Sequence, residues 1–120
     1  SDLDTMAAHV ARLVEADLLI LMSDIEGLYT DDPRKNPNAR FVHTVRYIDE
    51  KLERMGKGAG SAMGTGGMAT KIEAAKVATK SGADMVIANG ANICAINDIM
   101  AGKKIGTLFM AERENGRKII

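Results

Sequence analysis

The sequence has a single cysteine, Cys94, so no disulfide can close within these 120 residues, and that residue reads as a small buried or half-buried side chain in preference to a reactive thiol. It has only two histidines, His9 and His43, well apart from each other and from the cysteine. No cluster therefore has metal-ligand spacing. Both histidines read as structural or surface residues, His9 within a helical pattern and His43 in a loop or edge strand. Neither sign of charge prevails, since 16 Lys and Arg face 16 Asp and Glu. That balance offers no basic footprint for nucleic acid or an anionic membrane surface. Long apolar runs are missing too. The longest, Leu18 to Met22, is far short of a bilayer span, and no charged-then-apolar leader begins the chain. The expectation is a cytoplasmic protein with no membrane or nucleic-acid partner. Internal repeats and low-complexity tracts are also lacking.

What is present is patterned. With 46% hydrophobic residues the chain can bury a core, as one small domain or a piece of a larger one. Met6, Val10, Leu13 and Val14 recur at helical spacing and predict an opening amphipathic helix, capped by Asp4 or Thr5. Asp17 to Ser23 predicts a strand buried on both faces of a parallel sheet, with Asp24 at its carboxyl end. Glu26 to Asn38, with turns near Pro33 and Pro37, predicts an irregular loop. Phe41 to Tyr47 predicts a short strand and Asp49 to Met55 a charged surface helix. After a flexible Gly56 to Gly67 region, Met68, Ile72, Ala75 and Ala78 mark the buried face of a helix that Gly82 ends. Asp84 to Ala88 predicts another buried strand, Ile93 to Met100 a third helix, and Ile105 to Met110 a last strand. This alternation predicts an α/β fold, an open and mainly parallel sheet flanked by helices, with right-handed crossovers and ligands at the carboxyl ends of the strands. Residues 1–111 make up the domain, and residues 112–120 read as a polar tail or linker towards a possible further C-terminal domain.

The stretch Gly64-Thr65-Gly66-Gly67-Met68-Ala69-Thr70-Lys71 runs straight from a glycine-rich turn into a helix. Such a turn lets backbone approach phosphates, while the exposed amides and positive dipole end of the helix attract negative charge. Lys71 adds a mobile cation. The spacing matches neither G-x-x-x-x-G-K-[ST] nor G-x-G-x-x-G, so a plain glycine-rich loop and a phosphate site both stay open at this point. Phosphoryl transfer needs groups that hold the nucleotide phosphates, neutralise charge on the moving group and place the acceptor. Asp2, Asp4, Asp24 and Lys71 are placed to share one crevice. Equally, Asp4 can simply cap its helix and Asp24 simply close a turn.

In order, the chain carries Asp2-x-Asp4-Thr5, Glu15-Ala16-Asp17-Leu18-Leu19-Ile20-Leu21, Ser23-Asp24, Glu26-Gly27-Leu28-Tyr29-Thr30-x-Asp32-Pro33-Arg34, the glycine-rich turn to Lys71, Val86-Ile87-Ala88-Asn89-Gly90 and Gly106-Thr107-Leu108-Phe109. Together these closely resemble the glutamate 5-kinases over nearly the whole chain. The resemblance implies a partial amino-acid kinase fold: the second, nucleotide-binding half, without the first half that carries its own glycine-rich loop, a further lysine and part of the glutamate pocket. It implies ATP and Mg²⁺ as cofactors and transfer of the γ-phosphoryl group to the side-chain carboxylate of L-glutamate, the first step of proline synthesis, by a homo-oligomer. Ser23, Asp24, Tyr29, Asp32, Thr65, Gly66, Gly67, Met68, Ala69, Thr70 and Lys71 are implied as ATP-binding, Tyr29 being open also to a packing role. Lys71 would stabilise charge on the transferred group and Asp4 would orient the catalytic lysines; no residue is implied as a metal ligand.

Asp2 and Leu3 fall at the substrate position, and here the pattern breaks. The family usually reads Asp-Asn-Asp, whereas this chain has Asp2-Leu3-Asp4. Leucine cannot hydrogen-bond a substrate, and a buried polar group left unpaired costs about 1 to 3 kcal/mol. Two alternatives follow: the same fold with acetylglutamate, aspartate or uridylate as acceptor, or a non-catalytic nucleotide-binding module. Asp4, Asp24 and Lys71 together in register favour the enzyme, although a half domain alone would be inactive. A severed sheet would also expose a strand edge and apolar helix faces.

Overall fold

The computed structural model describes the backbone of residues 2–62, 67–114 and 117–118, and the side chains of residues 3–57 and 67–112. Helix α1 (Asp2–Leu13) leads into β1 (Leu18–Ser23), followed by the short strands β2 (Leu28–Tyr29), β3 (Phe41–Val42) and β4 (Thr44–Val45). Next come α2 (Glu50–Ala62), α3 (Gly67–Lys80), β5 (Asp84–Asn89), α4 (Ala95–Met100) and β6 (Thr107–Phe109). The main sheet has the order β1-β5-β6-β4. β1 runs parallel to β5, with Leu18 opposite Asp84 and Ser23 opposite Asn89, and β4 runs parallel to β6. β5 and β6 are antiparallel.

After β5 the chain passes through the six-residue helix α4 and re-enters the sheet from the carboxyl end of β5, so β6 runs antiparallel to it.

β5 is the strand that its apolar run predicts, buried on both faces. Met85 and Ile87 join the large core under α3, while Val86 and Ala88 face Ala95 of α4. β1 is different. Of its residues only Leu21 is buried, and Met22 is exposed. Among the described residues β1 pairs on one side only, so the expectation of burial on both faces fails there.

Helix α1 also departs from expectation. Ala8 and Ala11 are its buried residues, Ala8 within the core that includes α3, whereas Leu3, Met6, Val10, Leu13 and, just beyond the helix, Val14 are exposed. None of these large apolar side chains is in that core. Leu3, Met6 and Val10, with Ala7 and Ala11, line an open apolar groove of about 460 Å³ together with Leu18 and Leu19 of β1. The strand edge and apolar helix face anticipated for a severed sheet are thus both present. The isolated 120-residue chain is expected to self-associate at micromolar concentration, and light scattering showing a monodisperse monomer with a sharp thermal transition would contradict this.

Smaller corrections follow from packing. The first part of the Gly56 to Gly67 region is helical, since α2 continues to Ala62 and Gly56 is buried where α2 meets Ile72 of α3, while residues 63–66 lie outside the described residues. The Phe41 to Tyr47 segment divides, β3 pairing with β2 and β4 joining the main sheet, with His43 exposed between them. Helix α4 begins only at Ala95, leaving Ile93 in solvent. Cys94 is exposed, contrary to the burial expected, because it sits in the turn before α4. His9 is exposed on α1. Helix α3 buries Met68, Ile72, Ala75 and Ala78 as its periodicity predicts. In the tail, β7 (Arg113–Glu114) pairs antiparallel with β8 (Arg117–Lys118).

Lys76 ties α3 to α2 by bridging Glu53 and Glu73. Its pKa is raised chiefly by the hydrogen bond to Glu53, against partial desolvation. The bridge therefore contributes below the ordinary lysine value of about 10.4 and is lost as pH rises through the raised one.

Candidate active site

The carboxyl ends of β1 and β5 are tied together, since the Gly90 N–H donates to the Ser23 carbonyl at 2.7 Å. The half-buried Ser23 hydroxyl accepts the Ile25 N–H and donates to Asp24 Oδ1 at 3.3 Å. Asp24 is exposed at the strand end, where an α/β sheet presents ligands to solvent. Both bonds close the local turn, as the simpler reading of Asp24 anticipates.

Asp4 and Lys71 meet across the α1–α3 contact. Lys71 Nζ lies 3.1 Å from Asp4 Oδ2, with the side chains only 12% and 17% exposed. The Thr70 hydroxyl lies 3.3 Å from the same oxygen and 3.0 Å from the Gly67 carbonyl. Asp4 is the third residue of α1, so it does not cap that helix as proposed. Its carboxylate is directed across to α3, and an ammonium so sheltered from water has its position fixed by its partner.

In front of this pair is the amino-terminal turn of α3. Among the described residues, a side chain placed at Gly67 would meet nothing within 4 Å, so none of them covers the backbone there against a ligand. Met68 is in the core, which leaves only its backbone for ligand contact. Ala69 and Thr70 are half-buried. Thr65, Gly66 and the Asp2 side chain lie outside the described residues, and Leu3 is 71% exposed on the outer face of α1.

Tyr29 and Asp32 belong to the β2–β3 hairpin and its loop. The Tyr29 ring stands edge-on to Phe41 at 5.1 Å, consistent with packing. Asp32 is buried; its Oδ1 accepts the Arg34 N–H at 3.0 Å and pairs with Arg34 Nε at 3.3 Å, while Oδ2 is buried without a hydrogen-bond partner. The Arg34 N–H, foremost, holds its pKa below the ordinary value, against desolvation. This contribution to stability is present above the unfolded carboxyl pKa and is lost as pH falls through the lowered one.

Asp4, Thr70 and Lys71 thus form one cluster, Ser23 and Asp24 a second, and Tyr29 and Asp32 a third. Reasoning from sequence gave no role to Glu26, Asn89 or Thr107. The Asn89 amide donates to Glu26 at 3.0 Å across the strand ends, and the Thr107 hydroxyl receives the Leu28 N–H. Their positions just after or within strands were visible, but not their partners. Among the described residues no group of three His, Cys, Asp or Glu side chains could hold a metal ion.

The sequence profile of the "Amino acid kinase family" matches residues 2–89. The chain belongs to this family. It is 54% identical over 113 residues to a glutamate 5-kinase of Carboxydothermus hydrogenoformans, covering 94% of this chain and 30% of that relative. It is 53% identical over 110 residues to a glutamate 5-kinase of Clostridium tetani, covering 92% and 41%. The chain thus spans well under half the length of these curated relatives. Among solved structures, a UMP kinase from Bacillus anthracis superposes with a TM-score of 0.65 at 17% identity, covering 91% of this chain and 40% of that one. An isopentenyl phosphate kinase product complex from T. acidophilum gives 0.62 at 24% identity, covering 88% and 38%. These likenesses establish the amino-acid kinase fold, present here in part. Among the described residues no helix is long and apolar enough to cross a membrane.

Proposed function

We propose that these residues are the nucleotide-binding part of a glutamate 5-kinase, which transfers the γ-phosphoryl group of ATP to the side-chain carboxylate of L-glutamate in proline synthesis. The observation that carries the reading is the sheltered Lys71–Asp4 pair at the open start of α3. The identity of about half to named glutamate 5-kinases supports the choice of acceptor.

ATP fits the residues present. The amino-terminal turn of α3, with backbone accessible at Gly67, suits phosphate, and Lys71 suits the charge that builds up on the transferred group. Ser23 and Asp24 lie at the strand end that faces ligands in this class of fold. Magnesium carried on the nucleotide would neutralise charge on its phosphates. Asp4 is the positioning residue for Lys71, because its oxygen is already occupied by Lys71 and Thr70 and acts through them. Tyr29 and Asp32 border the nucleotide in this reading, and the enzyme works as a homo-oligomer.

The test is ATP consumption by the complete polypeptide containing these residues, with Mg²⁺ and L-glutamate beside N-acetylglutamate, aspartate and uridylate. Glutamate-dependent turnover is expected. Turnover with another acceptor would keep the nucleotide site and overturn the substrate, and no turnover would favour a binding module.

Leu3 makes a second outcome specific. It is exposed beside the groove, so its apolar side chain adds nothing to the described core. Leu3→Asn restores a donor and an acceptor at the substrate position, and the KM for glutamate is expected to fall about tenfold with the KM for ATP unchanged. Steady-state kinetics with each substrate varied checks this.

A further inference from the structure

The turn from Ser23 to Leu28, which carries Asp24, is fastened at three points. The Gly90 N–H holds the Ser23 carbonyl, the Asn89 amide holds Glu26 Oε1 at 3.0 Å, and the Leu28 N–H donates to Thr107 Oγ1 at 2.9 Å. Thr107 is fully buried, and its hydroxyl donates in turn to the Val42 carbonyl at 2.6 Å. One side chain therefore supplies both an acceptor and a donor to two backbone groups, Leu28 in β2 and Val42 in β3. Gly27 permits the closeness, since a Cβ there would overlap Thr107 Oγ1 and the Phe41 ring. On the rim, Asn89 Oδ1 also accepts the Ala91 N–H, which fixes the amide's orientation towards Glu26. Asn89 stands opposite Ser23 in the β1–β5 register, so the latch closes across adjacent strand ends.

We propose that Thr107 and Asn89 are positioning residues for nucleotide binding: Thr107 from inside and Asn89 from the rim hold the 23–28 turn so that Ser23 and Asp24 are preorganised for ATP. Neither residue touches the nucleotide in this account. The inference rests on the nucleotide-binding reading of the preceding subsection.

Thr107→Val keeps the shape but removes the hydroxyl, leaving the Leu28 N–H and Val42 carbonyl without their shared partner. Binding of a non-hydrolysable ATP analogue to the complete polypeptide is expected to weaken about tenfold. In turnover the KM for ATP should rise by a similar factor, with kcat and the acceptor KM within about twofold. Thr107→Ser, which restores the hydroxyl, should recover analogue binding. Asn89→Ala, at a half-buried position on the rim, should weaken binding about threefold, as expected for a rim hydrogen bond. A general structural role would lower kcat or affect both KM values alike, and Ser would not rescue nucleotide affinity selectively; either result overturns the proposal. If Thr107→Val does not fold, Asn89→Ala decides alone, and unchanged analogue affinity overturns it. A wild-type protein that binds no nucleotide overturns the functional reading and this inference together. Wild-type binding with equal binding by the variants overturns the inference alone.

Discussion

In the complete enzyme, Lys71→Met is expected to lower turnover about a thousandfold, the upper range for removing a preorganised donor aimed at transition-state charge. The methionine preserves much of the lysine stem, so packing between α1 and α3 changes little while the ammonium is lost. Lys71 sits in the first turns of α3, next to a backbone open at Gly67, and its side chain is sheltered from water. A charge there is less screened than one at the surface. ATP affinity should change far less than kcat, because the role proposed for the lysine is on the moving group. Steady-state kinetics and analogue binding, measured together, distinguish this from simple loss of the site. Asp4→Asn keeps a hydrogen-bond acceptor but not the charge, and is expected to produce a smaller fall.

The largest effect on stability is expected at Gly106. Its φ is +71°, and a Cβ there would overlap the Ile87 carbonyl and press on Ala88. Gly106→Ala combines the left-handed penalty of about 1 to 2 kcal/mol with displacement of backbone between β5 and β6. The total cost is expected to be about 3 kcal/mol or more, read as a lowered denaturant midpoint in the complete polypeptide. Gly67→Ala is the contrast: with no described residue within 4 Å of the added methyl, it should leave the midpoint nearly unchanged.

The two cases differ in what the sequence reveals. Lys71 is legible because a glycine-rich turn followed by a helix and an early lysine is a local pattern, and local patterns follow from backbone preferences. The same holds for α3, whose buried residues recur at helical spacing, and for β5, whose unbroken apolar run matches burial on both faces. Gly106 is not legible in this way, since what confines it is the carbonyl of Ile87, nineteen positions away. Thr107 is similar. Nothing in its immediate neighbours announces that its hydroxyl joins Leu28 to Val42.

Helix α1 is the most instructive failure of periodicity. Hydrophobic spacing establishes that a helix has an apolar face, but does not say which neighbour that face meets. Here Ala8 joins the core with α3 and the larger residues are exposed. The strand direction of β6 was equally beyond local reading, because it depends on the end of β5 at which the connection through α4 re-enters the sheet. Composition, charge balance and short-range pattern by themselves determined an alternating helix-and-strand chain with a glycine-rich turn leading to Lys71, and it was the resemblance of its ordered motifs that pointed to the amino-acid kinases. Only the tertiary structure decided that Asp4 reaches across to Lys71, that the sheet is mixed, and that Thr107 and Asn89 hold the turn at the end of β1. Those facts depend on contacts between residues far apart in sequence, which come together only when burial of the common core brings their elements into register.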